Sequence, residues 1–196
     1  ALQAMNEAHL VTRDADPLLD ARLRSFETAL GMQMAVPDAF DFGQESEMTL
    51  TDYGLQRGQT TGFGWQCLAA RRLVERGVRF VQLYHTNWDH HGGSTENLEE
   101  HLPSVCREVD QASAALVKDL KQRGMLDDTL VLWGGEFGRT PMGQGSGRDH
   151  HILAFSVWMA GGGVKGGITW GQTDELGYKF VEDDQAMHVH DLHATM

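Results

Sequence analysis

The chain has 196 residues, of which 41% are apolar, and a formal net charge of −12. That length suffices for one substantial domain. The charge repels a nucleic-acid backbone and excludes nucleic acid as the expected partner, and no run approaches the roughly 20 apolar residues that a membrane span needs.

The chain starts at Ala1, with no initiating Met and no signal peptide, and stops at "HDLHATM", which reads as a helix just beginning with Asp191 as its N-cap. The expectation is a piece of a longer protein. Cys67 and Cys106 fall in predicted helices without metal-ligand spacing. They read as two buried free thiols, with a disulfide as the alternative.

In chain order, "DPLLDARLRSFETALGMQMAVP" opens with Asp16 as N-cap and Pro17 at the first helical position. Leu19, Leu23, Phe26 and Leu30 form one apolar face, and Pro37 ends the helix. Residues 38–63 show no clear period and read as loop. "WQCLAARRLVERG" predicts a helix closed by Gly77, and "VRFVQLY", residues 78–84, predicts a short buried strand. A polar loop at 85–97 leads to a long helix at about 103–123, with Leu102, Val105, Val109, Ala112, Leu116 and Leu120 on one stripe and Gly124 just past its end.

Further strands are predicted near 129–133 and 154–159, flanking a glycine-rich loop at 134–151. "GGGVKGG" reads as a tight turn with a solvated Lys165, since it lacks the ending of a phosphate-binding P-loop. The alternation argues for an α/β fold with a mostly parallel sheet. Residues 1–63 form a helical and loop segment packing on the core, residues 64–196 form the α/β core with the site loops, and the whole makes one domain.

In such sheets, sites form in loops beyond the carboxyl ends of strands. Nine of the ten histidines lie between His85 and His193. Asp89, His90 and His91 share one strand-exit loop; Glu136, Asp149, His150 and His151 share the other. Imidazoles and carboxylates in that company are ligands for zinc, manganese or iron. Asp89 and His91, two apart, point the same way in extended backbone, and His90 faces elsewhere. The competing reading is a set of solvated turn residues. Arg139 and Arg148 bracket the second loop, where a guanidinium fork suits a phosphate or sulfate oxygen; surface arginines bonded to loop carbonyls are the alternative. His188 and His190 share one face of a short strand running into the last helix start, and a structural role is favoured for them.

"CLAARRLVERGVRFVQL", "WDHHG", "DDTLVLWGGEFGRTP", "GRDHH", "AGGGVKGG", "GQTDELG" and "HVHDLHAT", in this order, resemble the DUF1501 family. That family comprises uncharacterised bacterial proteins related to sulfatases and placed in the alkaline phosphatase superfamily, and this chain resembles the carboxy-terminal half. The resemblance implies an alkaline-phosphatase-like three-layer α/β/α sandwich and a metal-dependent hydrolase of phosphate or sulfate esters. It implies Asp89, His91, Glu136 and His150 as ligands of a divalent metal, zinc or manganese ahead of calcium or magnesium. It implies Arg139 and Arg148 as anion-binding groups, a nucleophile upstream of this chain, and an exported or periplasmic location. "DLHAT" is similar to an architectural helix start of sulfatases. One departure stands out: relatives carry an Asp–His pair where this chain has Glu136–Phe137. The alternative function is a non-catalytic binding protein for sulfated or phosphorylated polysaccharide.

Overall fold

The computed structural model describes residues 2–11, 17–179 and 186–196. The chain divides after Phe42 into two compact units. The first holds α1 (Leu2–Val11) and α2 (Pro17–Phe40). Pro17 occupies the first helical position, where its missing N–H has no intrahelical partner to lose; the expected N-cap, Asp16, lies outside the described residues. Pro37 does not end α2 as expected. It sits in the final turn, where it forfeits only one intrahelical hydrogen bond, and the helix runs on to Phe40. Phe26 and Leu30, on the expected apolar face, stay exposed.

The second unit is built around helices. α3 (Glu47–Asp52) forms within the stretch expected to be loop, because the Ser46 hydroxyl accepts from the Thr49 N–H at 3.0 Å and caps it. α4 (Phe63–Glu75) and α5 (His101–Gln122) follow. Both end as the glycines imply. Gly77 and Gly124 take positive φ of 83° and 68°, and the amide after each reaches back to the helix, Val78 to the Leu73 carbonyl and Met125 to the Leu120 carbonyl. α5 packs on α4 and α3, burying Leu50, Tyr53, Cys67, Leu68, Val105, Val109, Ala112 and Leu120. Neither cysteine is bridged. Burial pushes the Cys67 thiol up to about 12, whereas Cys106, expected to be buried, is exposed because it lies off the α5 stripe.

Charge is buried with this apolar contact. Arg71, 2% exposed, meets Glu45 at 2.8 Å, Glu75 at 2.6 Å and Asp119 at 2.9 Å. Arg72 also pairs with Glu45, Arg123 pairs with Glu75 and Asp119, and the Tyr53 hydroxyl donates to Asp119 at 3.0 Å.

The expected α/β/α sandwich with a mostly parallel sheet is not formed. The described residues hold two separate two-stranded antiparallel ladders. In one, β1 (Val131–Gly134) pairs with β4 (Val157–Ala160); in the other, β2 (Gly138–Gln144) pairs with β3 (Gly147–His151). Gly134 stands opposite Val157, so the chain leaves and rejoins the first ladder at the same end. The residues between are spent on the β2–β3 hairpin, which returns the chain directly, and a parallel pairing would need a crossover instead. Residues 78–84 form no strand, so the expected first strand of a common sheet is absent and α5 covers helices rather than a sheet face.

The hairpin also corrects the loop expected at 134–151. Gly145 at φ 58° and Ser146 make a two-residue turn, with glycine first as type II′ hairpins favour. A register irregularity between Arg139 and Gly143 leaves Pro141 where no ladder hydrogen bond is asked of it.

Near the end, α6 (Val189–Thr195) starts one turn earlier than expected. His188, not Asp191, is the N-cap; Asp191 sits at the third helical position and its carboxylate accepts from the His188 N–H at 2.8 Å. His188 and His190 therefore stack at a helix start, ring centroids 4.7 Å apart, rather than along a strand. Residues 161–167 turn tightly and leave Lys165 exposed. No helix among the described residues is long and apolar enough to cross a membrane.

Candidate metal centre

Three donors meet where the 85–97 loop faces the β2–β3 hairpin. Trp88 anchors the loop: its indole N–H donates to His85 Nδ1 at 3.0 Å, and its ring packs edge-on against Trp133 of β1, which stacks on its cross-strand neighbour Trp158. His85 Nε2 reaches Glu108 on α5 at 3.1 Å. Asn87 takes a left-handed φ of 71°, a conformation asparagine tolerates better than most residues. Beyond Asp89, His90 is buried and its ring is tied to the Trp88 carbonyl, so the side chains on either side of it face the hairpin.

The hairpin is docked largely through backbone. The Arg148 N–H donates to the His90 carbonyl at 2.8 Å, and the Leu98 N–H to the Ser146 carbonyl at 3.1 Å. The Gly93 N–H adds a bond to the Ser146 hydroxyl. This close approach is why residue 147 is glycine: a Cβ there would lie 2.2 Å from the His90 carbonyl oxygen and 2.3 Å from the Gly92 nitrogen. Gly147→Ala is expected to push the hairpin off the loop and separate His150 from Asp89. The check is the metal affinity of the variant beside its denaturation midpoint; unchanged affinity would mean the docking does not set the site.

Asp89 Oδ1, His91 Nε2 and His150 Nε2 form a triangle with edges of 2.9, 2.8 and 2.9 Å. His91 Nδ1 lies 2.5 Å from Gln144 Oε1. An amide oxygen has no proton to give, so Nδ1 carries a hydrogen, and the tautomer with its lone pair on Nε2 turns that lone pair toward Asp89 and His150. A lone pair 2.9 Å from a carboxylate oxygen is repulsive unless a positive charge lies among the donors. The hydrogen bond from His150, then that from Arg139, holds the Asp89 carboxyl at about 2 against a small opposing effect of burial, so it is ionised wherever a metal would bind. Two imidazoles and one carboxylate make a donor set that fits zinc, manganese or iron and leaves positions open for other ligands. A cavity of about 640 Å³, lined by Tyr53, Phe63, His85 and Glu108 among others, contains none of these donors.

A family model described as "Protein of unknown function (DUF1501)" matches residues 1–196. The chain belongs to the DUF1501 family. No curated protein and no solved structure matches it.

In this DUF1501 chain, Glu136 is exposed just past β1 and is not among the grouped donors. Arg139 is at the centre: its Nη2 donates to Asp89 Oδ1 at 2.6 Å, and its guanidinium carbon lies 5.8 Å from the centre of the Phe137 ring. Arg148 faces the hairpin instead, donating to the Thr140 carbonyl at 3.1 Å. Asp149 accepts from the His150 N–H at 2.7 Å. His151 is buried, accepting at Nδ1 from the Leu153 N–H and facing the Gly177 carbonyl through Nε2.

Sequence reasoning missed two contributors. Gln144 orients His91, and Phe137 packs its ring 4.3 Å from that of His150. No spacing rule picks out either; only the hairpin brings them there. Loss of an outer partner of a metal-bound histidine costs about 10–100-fold in affinity. Gln144→Ala is expected to weaken zinc binding within that range, and Gln144→Glu to restore it, both read by competition with a chromogenic chelator. Equal affinity in all three proteins would detach Gln144 from the site.

Proposed function

We propose that Asp89, His91 and His150 hold one divalent cation, zinc or manganese ahead of calcium or magnesium, and that the full-length protein hydrolyses a phosphate or sulfate ester. The observation that carries the proposal is the convergence of the three donor atoms, with the His91 tautomer set by Gln144 so that a lone pair faces the point of convergence. The ester class is supported by the resemblance of "WDHHG", "EFGRTP" and "GRDHH" to sulfatase-related members of the alkaline phosphatase superfamily, and by a guanidinium beside the donors.

A bound divalent ion supplies charge that stabilises a transition state at an ester oxygen. The chain's own residues do the rest. Gln144 and Asp89 fix His91, Phe137 packs against His150, and Arg139 offers paired N–H donors to an anion. Glu136 has no place in this ligand set, and no residue is assigned the role of nucleophile.

A second reading is a binding protein for sulfated or phosphorylated polysaccharide, which the Arg139 guanidinium beside the donors would serve equally well. The two readings separate in one assay. Full-length protein stripped with chelator and reloaded with zinc or manganese is expected to turn over an aryl phosphate or aryl sulfate, with loss of turnover on chelation. Metal and sulfated-glycan binding without turnover of either ester would establish the binding protein instead.

A further inference from the structure

Arg139 occupies the place that a metal would compete for. It stands directly across the β2–β3 ladder from His150. Its Nη2 donates to Asp89 Oδ1 at 2.6 Å, and its Nη1 lies 3.5 Å from His91 Nε2. The guanidinium thus supplies hydrogens to two of the three donor atoms, one of them the lone pair that the Gln144 contact turns toward the site. A guanidinium is charged at every pH the protein meets. It and a divalent ion cannot share Asp89 Oδ1 without strong like-charge repulsion at such short range.

We propose that Arg139 is a stand-in cation. It neutralises the donor triangle while the metal is absent, and when the metal enters it is displaced and its planar fork becomes the receptor for a tetrahedral oxyanion, the phosphate or sulfate end of the ester. This rests on the metal reading above and adds a coupling to it: loading the metal creates the anion subsite. The displaced guanidinium keeps a resting place over the Phe137 ring, which already lies beneath it. The side chain is only 25% exposed, so a short swing from Asp89 leaves it at the rim of the same site. The coupling also answers a charge problem. A chain with a net charge of −12 repels anions at long range, and in the metal-free site the Arg139 guanidinium is spent on Asp89. Loading the site frees that charge to face outward.

The test is zinc affinity by chelator competition, together with binding of inorganic phosphate by calorimetry, on full-length wild-type protein, Arg139→Gln and Arg139→Lys, each stripped of metal and then freed of excess zinc after loading. Arg139→Gln removes the competing charge, so zinc should bind on the order of tenfold more tightly, while phosphate binding to the loaded protein should be lost. Arg139→Lys keeps the charge without the fork: zinc affinity stays near wild type, and phosphate binding weakens. Wild-type protein should bind phosphate only when loaded. Zinc binding that is unchanged or weaker in Arg139→Gln, or phosphate binding by wild type that is the same with and without zinc, overturns the coupling while leaving the metal centre standing. Failure of wild type and both variants to bind zinc overturns the metal reading, and the coupling with it.

Discussion

His150→Ala should cost the protein more than the about 100-fold in zinc affinity that marks the upper end for an outer-shell partner, because it removes one of three direct donors. The change is confined. His150 lies in β3, whose docking to the 85–97 loop runs through the Arg148 N–H and the Ser146 carbonyl, so the hairpin should persist and the denaturation midpoint should move little. His151→Ala is the matched control. That ring is buried and bonded to the Leu153 N–H, so its loss should lower stability with one zinc still bound per chain. Chelator competition and urea unfolding on the two variants give opposite patterns. Zinc affinity retained in His150→Ala would remove the proposed centre, and any ester hydrolysis would then need a different origin.

The largest effect on stability is expected at Arg71. It is enclosed by Glu45, Glu75 and Asp119, and Arg71→Met leaves Glu45 and Asp119 short of positive charge in a site with little water. Breaking a buried pair from one side typically costs about 3–5 kcal/mol, and urea denaturation should show a loss of that order. The acid limb gives an independent reading. Burial pushes the Glu45 carboxyl up, but hydrogen bonds and charge from Arg71 and Arg72 outweigh it and hold the group below its ordinary value. A carboxyl depressed in the folded state contributes stability above its unfolded pKa and loses it as pH falls through the folded one. Wild-type protein should therefore lose this contribution as pH drops below the ordinary glutamate range, and in Arg71→Met the loss should begin at higher pH. A variant as stable as wild type, with the same acid limb, would show that Arg72 and Arg123 alone satisfy these carboxylates.

The helices and the strands differed in how far they could be read from sequence, for a physical reason. α4 and α5 carry their own instructions: an apolar stripe at helical spacing, and a glycine placed where the left-handed C-terminal turn needs it. α3 was missed because six residues are too few to show a period; only the Ser46 cap hints at it. Residues 78–84 are mostly apolar and rich in β-branched and aromatic side chains, yet such a composition describes a surface that suits a strand and does not supply a partner. The hairpin went the other way. "GRTPMGQGSGRDHH" has no alternation to read, and it is held by a Gly–Ser turn and by backbone contacts to a loop some fifty residues earlier in the chain, which no local window contains. Of the site, the two-residue spacing of Asp89 and His91 was legible because it depends only on backbone alternation. Glu136 entered the expected ligand set only through the family resemblance, and it lies exposed just past β1, apart from the grouped donors.

The adjacent pair His150 and His151 makes the site a gauge of strand alignment. One ring faces Asp89 while the next is buried against the 177 turn, as neighbours on a strand must point to opposite faces. Slippage of β3 by a single residue would exchange them, turning a buried ring outward and the donor inward. Refolded preparations can hold the correct helix content and still carry such a misaligned hairpin, invisible to circular dichroism. With the proposed metal centre, zinc stoichiometry after refolding would count the correctly aligned fraction directly, with no substrate required.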